Sequence, residues 1–171
     1  MTLPREALLA AIEHETITVT PFDPTLVGAY SIDYRLGPEL KVCVGTDGYN
    51  HHEFAAVKIP DDGYVLQPGT FYLGHTHEII GSDRYAMRLT GKRRLGRLGL
   101  WVQFDADLGH TTACHQWTLE IRCHHPIVVR PGMVIGQVSF AENLGTVLPY
   151  TGKHAQHSGA QESLYSDDAS R

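Results

Sequence analysis

Short β-type runs dominate the chain, and their spacing is the feature that most restricts its fold. The runs are rich in β-branched and aromatic residues, and clusters of Pro, Gly and Asp separate them. Many short strands spaced in this way are typical of an all-β barrel, jelly roll or sandwich. The predicted strands are residues 17–20, 30–36, 41–44, 54–59, 63–66, 70–73, 117–123, 127–129 and 134–140.

The two ends of the chain differ in character from this middle part. Near the N-terminus, Pro4 followed by Leu8, Leu9 and Ile12 predicts a short amphipathic helix with the proline in its first turn. A helical turn is also predicted within residues 95–102. With 171 residues, the chain suits one domain, expected over residues 1–150. Residues 151–171 are polar and rich in Gly, Ser, His and Asp, which predicts a mobile tail.

Cysteine usage and hydropathy bear on the cellular compartment. The three cysteines show no paired CxxC spacing, so neither a disulfide framework nor a zinc knuckle is expected. No basic segment followed by an apolar run opens the chain, and no apolar run approaches the roughly 20 residues of a membrane span. These features predict a cytoplasmic protein with no membrane partner.

The charge distribution indicates the kind of anion that the chain could bind. A formal net charge of -5 argues against a nucleic-acid polymer as partner. The basic residues nevertheless gather in one stretch, which fits a small polyanion such as a triphosphate. A solvated charged face explains the same pattern equally well. The stretch contains Arg84, Arg88, Lys92, Arg93, Arg94 and Arg97.

Several separate blocks, in the same order, resemble the dCTP deaminase and dUTPase superfamily, and the dCTP deaminases in particular. They are ITVTPFDP at 17–24, AYSIDYRLG at 29–37, PGTFYL at 68–73 with Thr76 and Glu78 after it, GKRRLGRLGL at 91–100, Glu120, and RPGMVIGQ at 130–137. The resemblance covers nearly the whole chain. It implies a distorted jelly-roll or double-stranded β-helix fold of the dUTPase-like type. It also implies a homotrimer with active sites between subunits and a nucleotide as substrate.

The resemblance assigns roles to individual residues. It implies that Glu120 is the general acid and base, that Arg97 orients it, and that Lys92, Arg93 and Arg94 contact phosphates. A carboxylate suits deamination of cytosine because it can take a proton from water and later give one to the leaving ammonia. Considered without the blocks, Glu120 is more simply an exposed carboxylate on a half-buried strand.

The chain departs from the family pattern at several positions. Arg93 and Arg94 replace two serines, and arginine has no hydrogen-bond acceptor, so Arg93 cannot take over the role of the catalytic serine. Ala106 is retained, but His110 replaces an aspartate that contacts the sugar, and Ala113 replaces an aromatic residue that closes the sugar pocket.

Three further positions are candidate binding residues. Lys153 and His157 belong to a tail segment similar to the family's closing K-Y-x-x-Q-x-G segment, which implies contacts with phosphates; disorder of this segment is the alternative. Gln137 is either a pocket residue or a structural glutamine at a strand bend.

Three functions therefore compete. The first is hydrolytic deamination of a cytosine (deoxy)nucleotide without a cofactor for the chemistry. The second is a nucleotide-binding or regulatory protein that has lost water activation, which the change at Arg93 favours. The third is a triphosphate pyrophosphatase of the dUTPase type, which His110 disfavours because an aspartate normally orients the water there. Mg²⁺ is expected only in company with a substrate triphosphate.

Eleven histidines raise the separate question of a metal site. His75 and His77, after Gly69, match half of a cupin motif, but the glutamate that should follow is missing. The group His110, Cys114, His115, Cys123, His124 and His125 lacks the spacing of zinc deaminases. Ordinary strand and loop histidines are the preferred interpretation, and no metal site is predicted.

Overall fold

A computed structural model describes residues 1–47, 51–102, 107–152 and 158–165. The described chain is mainly β, with helix α1 at Arg5–Glu13, helix α2 at Arg93–Arg97 and a 3-10 turn at Pro24–Leu26. The strands are β1 Thr18–Thr20, β2 Ile32–Arg35, β3 Glu39–Thr46, β4 His52–Lys58, β5 Tyr64–Leu66, β6 Tyr72–His75, β7 Ile79–Gly81, β8 Tyr85–Gly91, β9 Leu100–Val102, β10 Leu108–Gly109, β11 Cys114–His115, β12 Thr118–Cys123, β13 Ile127–Val129 and β14 Val134–Glu142.

Two antiparallel sheets form the body of the fold. One has four strands in the order β10-β8-β14-β2, and the other has five in the order β4-β3-β6-β12-β9. Two smaller sheets, β1-β7-β11 and β13-β5, complete the described strands. In both large sheets buried apolar residues alternate with more exposed ones along the central strands. Their buried side chains belong to one continuous apolar core, which also takes up Leu8 of α1.

A close contact between β2 and β14 shows why a glycine is needed in the RPGMVIGQ block. Gly136 lies directly against the ring of Tyr34, and a Cβ built on Gly136 would come within 2.0 Å of that ring. The Tyr34 side chain is completely buried, and its hydroxyl donates to Thr90 O at 3.1 Å. Burial raises the pKa of Tyr34, so the phenol stays protonated and keeps donating. The glycine therefore allows the four-stranded sheet to close over an aromatic ring.

The β-fold predicted from the sequence is confirmed, with differences at particular elements. Five of the described strands were missed: β7, β8, β9, β10 and β11. Residues 85–91 alternate between buried and more exposed positions, but Arg88, at one of the exposed positions, was interpreted only as part of a basic run. Helix α2 begins at Arg93, two residues before the predicted helical turn, and residues 100–102 are strand β9.

A buried ion pair joins the end of β2 to the turn between β6 and β7. Glu78 has no exposed surface, and its two carboxylate oxygens accept from Arg35 Nε at 2.6 Å and from the Arg35 backbone N–H at 2.9 Å. The His77 N–H donates to Arg35 O at 2.7 Å, and Leu36 bridges to Thr76. This junction therefore connects the four-stranded sheet, which contains β2, to the five-stranded sheet, which contains β6, and to the three-stranded sheet, which contains β7.

None of the helices in the described part of the chain is long and apolar enough to cross a membrane.

The junction leads to a stability prediction for Arg35→Met. Removal of the guanidinium leaves the Glu78 carboxylate buried without its charge partner, which we expect to lower the free energy of unfolding by about 3 kcal/mol. Thermal unfolding should then show a melting temperature lower by about 6–12 °C. Lys41→Met, which breaks the exposed Lys41–Glu162 pair, is the control and should shift it by less than a third as much. An equal shift in both variants would contradict a structural role for the buried pair.

Candidate active site

A cavity of about 520 Å³ lies against the five-stranded sheet, on the face that points away from the core. Its walls carry aromatic and imidazole rings together with a few polar groups. The lining includes His52, Phe54, Phe71, Leu73, Leu108, His110, His115, Trp117, Thr118, Glu120, Tyr150, Gln161, Glu162 and Tyr165. An aromatic-walled cleft with a few converging polar groups is the usual form of a small-molecule site.

Strand alternation directs Glu120 into this cavity. On β12, Leu119, Ile121 and Cys123 are buried in the core, so Thr118 and Glu120 point to the opposite face. Pairing with β6 places Glu120 beside Leu73, another lining residue. The catalytic candidate is therefore held on an internal strand, which pairs with β6 at Glu120 and with β9 from Ile121 onward.

The charges around Glu120 are sparse. Its side chain is half-buried and makes no ion pair with any residue in the described ranges. The other carboxylate of the lining, Glu162, pairs with Lys41 at 2.7 Å. No Lys or Arg is among the described residues that line the cavity. Among the described residues Glu120 thus has no cationic partner, and its carboxylate lies next to aromatic surfaces, a setting suited to proton transfer.

Two stacked ring pairs shape the wall of the cavity. The His115 and Trp117 rings are 4.2 Å apart between centroids with a 32° tilt, and Trp117 Nε1 donates to Ile80 O at 2.8 Å. The His110 and Tyr150 rings stack at 4.1 Å and 14°. Flat surfaces of this kind suit a planar base or sugar face.

The segment 158–165 forms another wall of the cavity. The Gln161 N–H donates to Thr118 Oγ1, and the same hydroxyl donates to Gly159 O, both at 3.0 Å. Glu162 reaches Lys41 on β3. The part of the tail that the structure describes is therefore attached to the strand that carries Glu120.

The predicted phosphate-binding residues lie apart from this cavity. Arg93, Arg94 and Arg97 are exposed on α2, do not line the cavity, and form no ion pair within the described part of the chain. The Nζ atom of Lys92 lies 2.6 Å from Asp33 Oδ1. Within a single chain, the structure does not bring these cations to Glu120.

The remaining candidates are divided between three locations. His110 lines the cavity, as described above. Gln137 is half-buried on β14, directly between Asp33 of β2 and Thr90 of β8. Ala106, Lys153 and His157 lie outside the described residues, so their predicted roles stay predictions.

The histidines considered as metal ligands do not converge. His75 ends β6, is buried, and places Nδ1 2.9 Å from Thr76 O, whereas His77 lies beyond the strand. The Cys114–His115 pair precedes β12, and His124 and His125 follow it. Within the described ranges no three His, Cys, Asp or Glu side chains are grouped so that they could hold a metal ion.

Cys114 is adjacent to the cavity residue His115, which makes its protonation state relevant. Desolvation raises the pKa of the Cys114 thiol; the Asp83 carboxylate adds to the rise, and a hydrogen bond with Thr18 opposes it. The thiol therefore stays protonated near neutral pH and is a poor nucleophile.

Sequence reasoning missed most of the cavity wall. The wall residues that it missed include Phe54, Phe71, His115, Trp117 and Tyr150. Only Thr118 had a usable signal, because it lies two positions from Glu120 and so shares its face of a strand. The others come from different strands and loops, and their convergence depends on sheet order.

Comparisons with known proteins show the family to which the chain belongs. The model of a family described as dCTP deaminase-like matches residues 2–143. The chain belongs to this family. A protein of Cytophaga hutchinsonii named "dCTP deaminase, dUMP-forming" is 36% identical over 161 residues, covering 89% of this chain and 90% of that protein. One of the same name from Clostridium beijerinckii is 35% identical over 155 residues, with coverage of 89% and 90%.

A solved structure supports the fold of this dCTP deaminase-like chain. It is that of the 2'-deoxycytidine 5'-triphosphate deaminase from Agrobacterium tumefaciens, with a TM-score of 0.66 and 24% sequence identity. The match covers 83% of this chain and 48% of that one, so the chain spans about half the length of that protein. The relatives resemble this chain in sequence, and the solved structure resembles it in its dUTPase-like β fold.

The attachment of the tail to β12 leads to a prediction for Thr118→Val. The valine removes the hydroxyl that accepts from Gln161 and donates to Gly159, so the Gln161 amide should exchange with solvent deuterium roughly tenfold faster. Hydrogen–deuterium exchange read by mass spectrometry of the C-terminal peptide measures this. Thr118→Ser keeps the hydroxyl and should exchange at the wild-type rate. Equal exchange in all three proteins would show that this hydroxyl does not hold the segment.

Proposed function

We propose that the protein is a hydrolytic deaminase of a cytosine nucleotide, with dCTP as the first substrate to test. The observation that carries the proposal is the position of Glu120, which projects into an aromatic-walled cavity whose described lining contains no Lys or Arg. Membership of the dCTP deaminase-like family and the names of the relatives support the choice of base.

The proposed chemistry follows from what one carboxylate can do. Glu120 takes a proton from a water molecule as the water oxygen bonds to C4 of cytosine. The carboxyl group gives this proton to N3 as the C4=N3 double bond opens. It then takes the proton of the new C4 hydroxyl and gives it to the 4-amino nitrogen, so that the C4–N bond breaks, ammonia leaves and a carbonyl remains at C4. Phe54, Phe71 and Trp117 supply apolar surfaces that pack against the base and limit competing water.

The phosphates require cations that the described cavity lining lacks. Exposed Arg93, Arg94 and Arg97 on α2 can supply them if α2 of one subunit reaches the cavity of its neighbour. This supports the proposed homotrimer with active sites between subunits, in which Arg97 orients the Glu120 carboxylate of an adjacent chain. Lys92, whose ammonium has three donors, can hold a phosphate oxygen while paired with Asp33.

Two further features of the substrate belong to this proposal. Mg²⁺ would accompany the triphosphate, because phosphate oxygens and water supply most of the ligands that this ion prefers. The names of two relatives include dUMP formation, so loss of pyrophosphate in addition to ammonia is the second candidate activity. His110 would then occupy the place where the resemblance expects a water-orienting aspartate.

The first test is turnover with separate dCTP, CTP, dCMP and dUTP samples plus Mg²⁺, with products resolved by chromatography. We expect a uracil nucleotide from dCTP, and a loss of roughly 10³-fold in kcat in Glu120→Gln with dCTP binding retained. Glu53→Gln, an exposed carboxylate on β4 outside the cavity lining, is the control and should stay near wild type. The appearance of dUMP rather than dUTP would add pyrophosphate release.

The opposite result has an equally clear meaning. Binding of dCTP by calorimetry without any product would remove the deaminase proposal. It would leave a nucleotide-binding or regulatory protein, in agreement with the replacement of the family serine by Arg93.

The shared site is tested by mixing two inactive variants. Glu120→Gln and Arg97→Met should each lose activity, but co-expression in equal amounts should restore it to about one quarter of wild type, because that fraction of interfaces combines both intact residues. Mixed trimers purified through different tags on the two chains contain one intact interface in three, so their activity should be about one third of wild type. Activity no higher than that of the separate variants would mean that Glu120 and Arg97 act within one chain or do not act together.

A further inference from the structure

His115 presents a defined hydrogen-bonding pattern in the cavity wall. Its Nδ1 lies 2.9 Å from Gln116 O. A carbonyl oxygen only accepts, so Nδ1 carries a proton and donates. In the neutral ring Nε2 is then an acceptor, and it is the only polar atom of the ring left for a ligand.

The surroundings of His115 hold this acceptor in place. The ring stacks on Trp117, whose Nε1–H is fixed to Ile80 O at 2.8 Å. The backbone of His115 pairs with Ile80 in the β11–β7 ladder. The Gln116 side chain donates to His77 O at 3.1 Å, which restrains the residue whose carbonyl accepts from the ring. An acceptor restrained in this way loses little entropy when a ligand binds.

Three polar groups close to His115 in the cavity lining already have a partner or a role. The Thr118 hydroxyl both donates to Gly159 and accepts from Gln161. Glu162 is paired with Lys41. Glu120 is assigned to the water in the proposed reaction. With Nδ1 donating to Gln116 O, His115 Nε2 is an acceptor in the cavity wall that is available to contact the base.

Cytosine and uracil differ at the atom that such an acceptor would contact. Cytosine carries an amino group at C4, which donates, and uracil carries a carbonyl oxygen there, which accepts. A fixed acceptor forms a hydrogen bond with the amino group of cytosine. In uracil the lone pair of the carbonyl oxygen faces the lone pair of the acceptor, so no hydrogen bond forms. A site built to pair with a donor rejects the analogue that lacks it.

We propose that His115 is a specificity-determining residue, whose Nε2 accepts a hydrogen bond from the 4-amino group of the cytosine ring. This inference rests on the proposed function and explains how the same cavity distinguishes cytosine from uracil. It has a consequence for turnover, because deamination replaces the donor with a carbonyl oxygen. The product then meets the same acceptor unfavourably, which promotes its release.

The test compares equilibrium binding of dCTP and dUTP by calorimetry at pH 8, in a Glu120→Gln background that prevents turnover. His115→Phe keeps a flat ring against Trp117 and removes the acceptor. We expect it to lower the ratio of dCTP to dUTP affinity by about tenfold, mainly through weaker dCTP binding. His115→Gln restores an acceptor and should recover most of the ratio. His115→Leu is the second variant without an acceptor, in case the phenylalanine disturbs folding.

His124→Phe is the matched control, since the His124 ring also lies against a tryptophan, edge-on to Trp101 at 6.3 Å, but outside the cavity lining. Its affinity ratio should equal that of the parent. An unchanged ratio in His115→Phe and His115→Leu, or equal weakening of both nucleotides, would overturn the proposal, as would failure of the parent to bind dCTP.

Because binding is measured without turnover, the two proposals fail separately. A reduced ratio in a protein that never deaminates would keep the role of His115 and remove the reaction. Deamination with an unchanged ratio of dCTP to dUTP affinity in the His115 variants would keep the reaction and remove the role of His115.

Discussion

The buried contact between Arg35 and Glu78 fixes the geometry on which the cavity depends. Burying a carboxylate is costly unless charge and hydrogen bonds compensate it, and here one arginine supplies a side-chain and a backbone donor. The same turn then holds the cavity wall: Thr76 Oγ1 donates to Glu78 O and accepts from the Trp117 N–H. An ion pair between two sheets thus positions the aromatic residue that supports His115.

Helix α2 carries a cost that the proposed function explains. Arg93 and Arg97 are four residues apart on a five-residue helix, so their charges repel, and a cation at Arg93 also opposes the positive end of the helix dipole. Neither has a compensating carboxylate within the described part of the chain. A bound polyphosphate would remove both penalties. The replacement of family serines by arginines therefore fits stronger binding of an anion by α2. The same replacement lowers the stability of α2 when no anion is bound.

The sequence was sufficient for the fold class and for the direction of Glu120, but not for the site as a whole. Alternation along β12 determines which face Glu120 occupies, because its neighbours Leu119 and Ile121 are apolar. Strand β8 was missed because Arg88, at one of its exposed positions, was interpreted as part of a basic run, which obscured the same alternation. The positions of His115 and Trp117 depend on contacts with Ile80 and Thr76, which are distant in sequence. No local pattern encodes such contacts.

In the proposed arrangement, base and phosphates are recognised by structurally independent elements. The base meets a wall that is part of one chain's sheets, where His115 and Glu120 are held by strand pairing. The phosphates meet exposed arginines on a short helix of another chain, whose long side chains adapt to different anions. Arg93 cannot provide the hydrogen-bond acceptor that a serine provides. It does not line the cavity, however, so this substitution does not change the wall that contacts the base. In this proposed arrangement, selectivity for the base can therefore persist while the segment that contacts phosphates diverges.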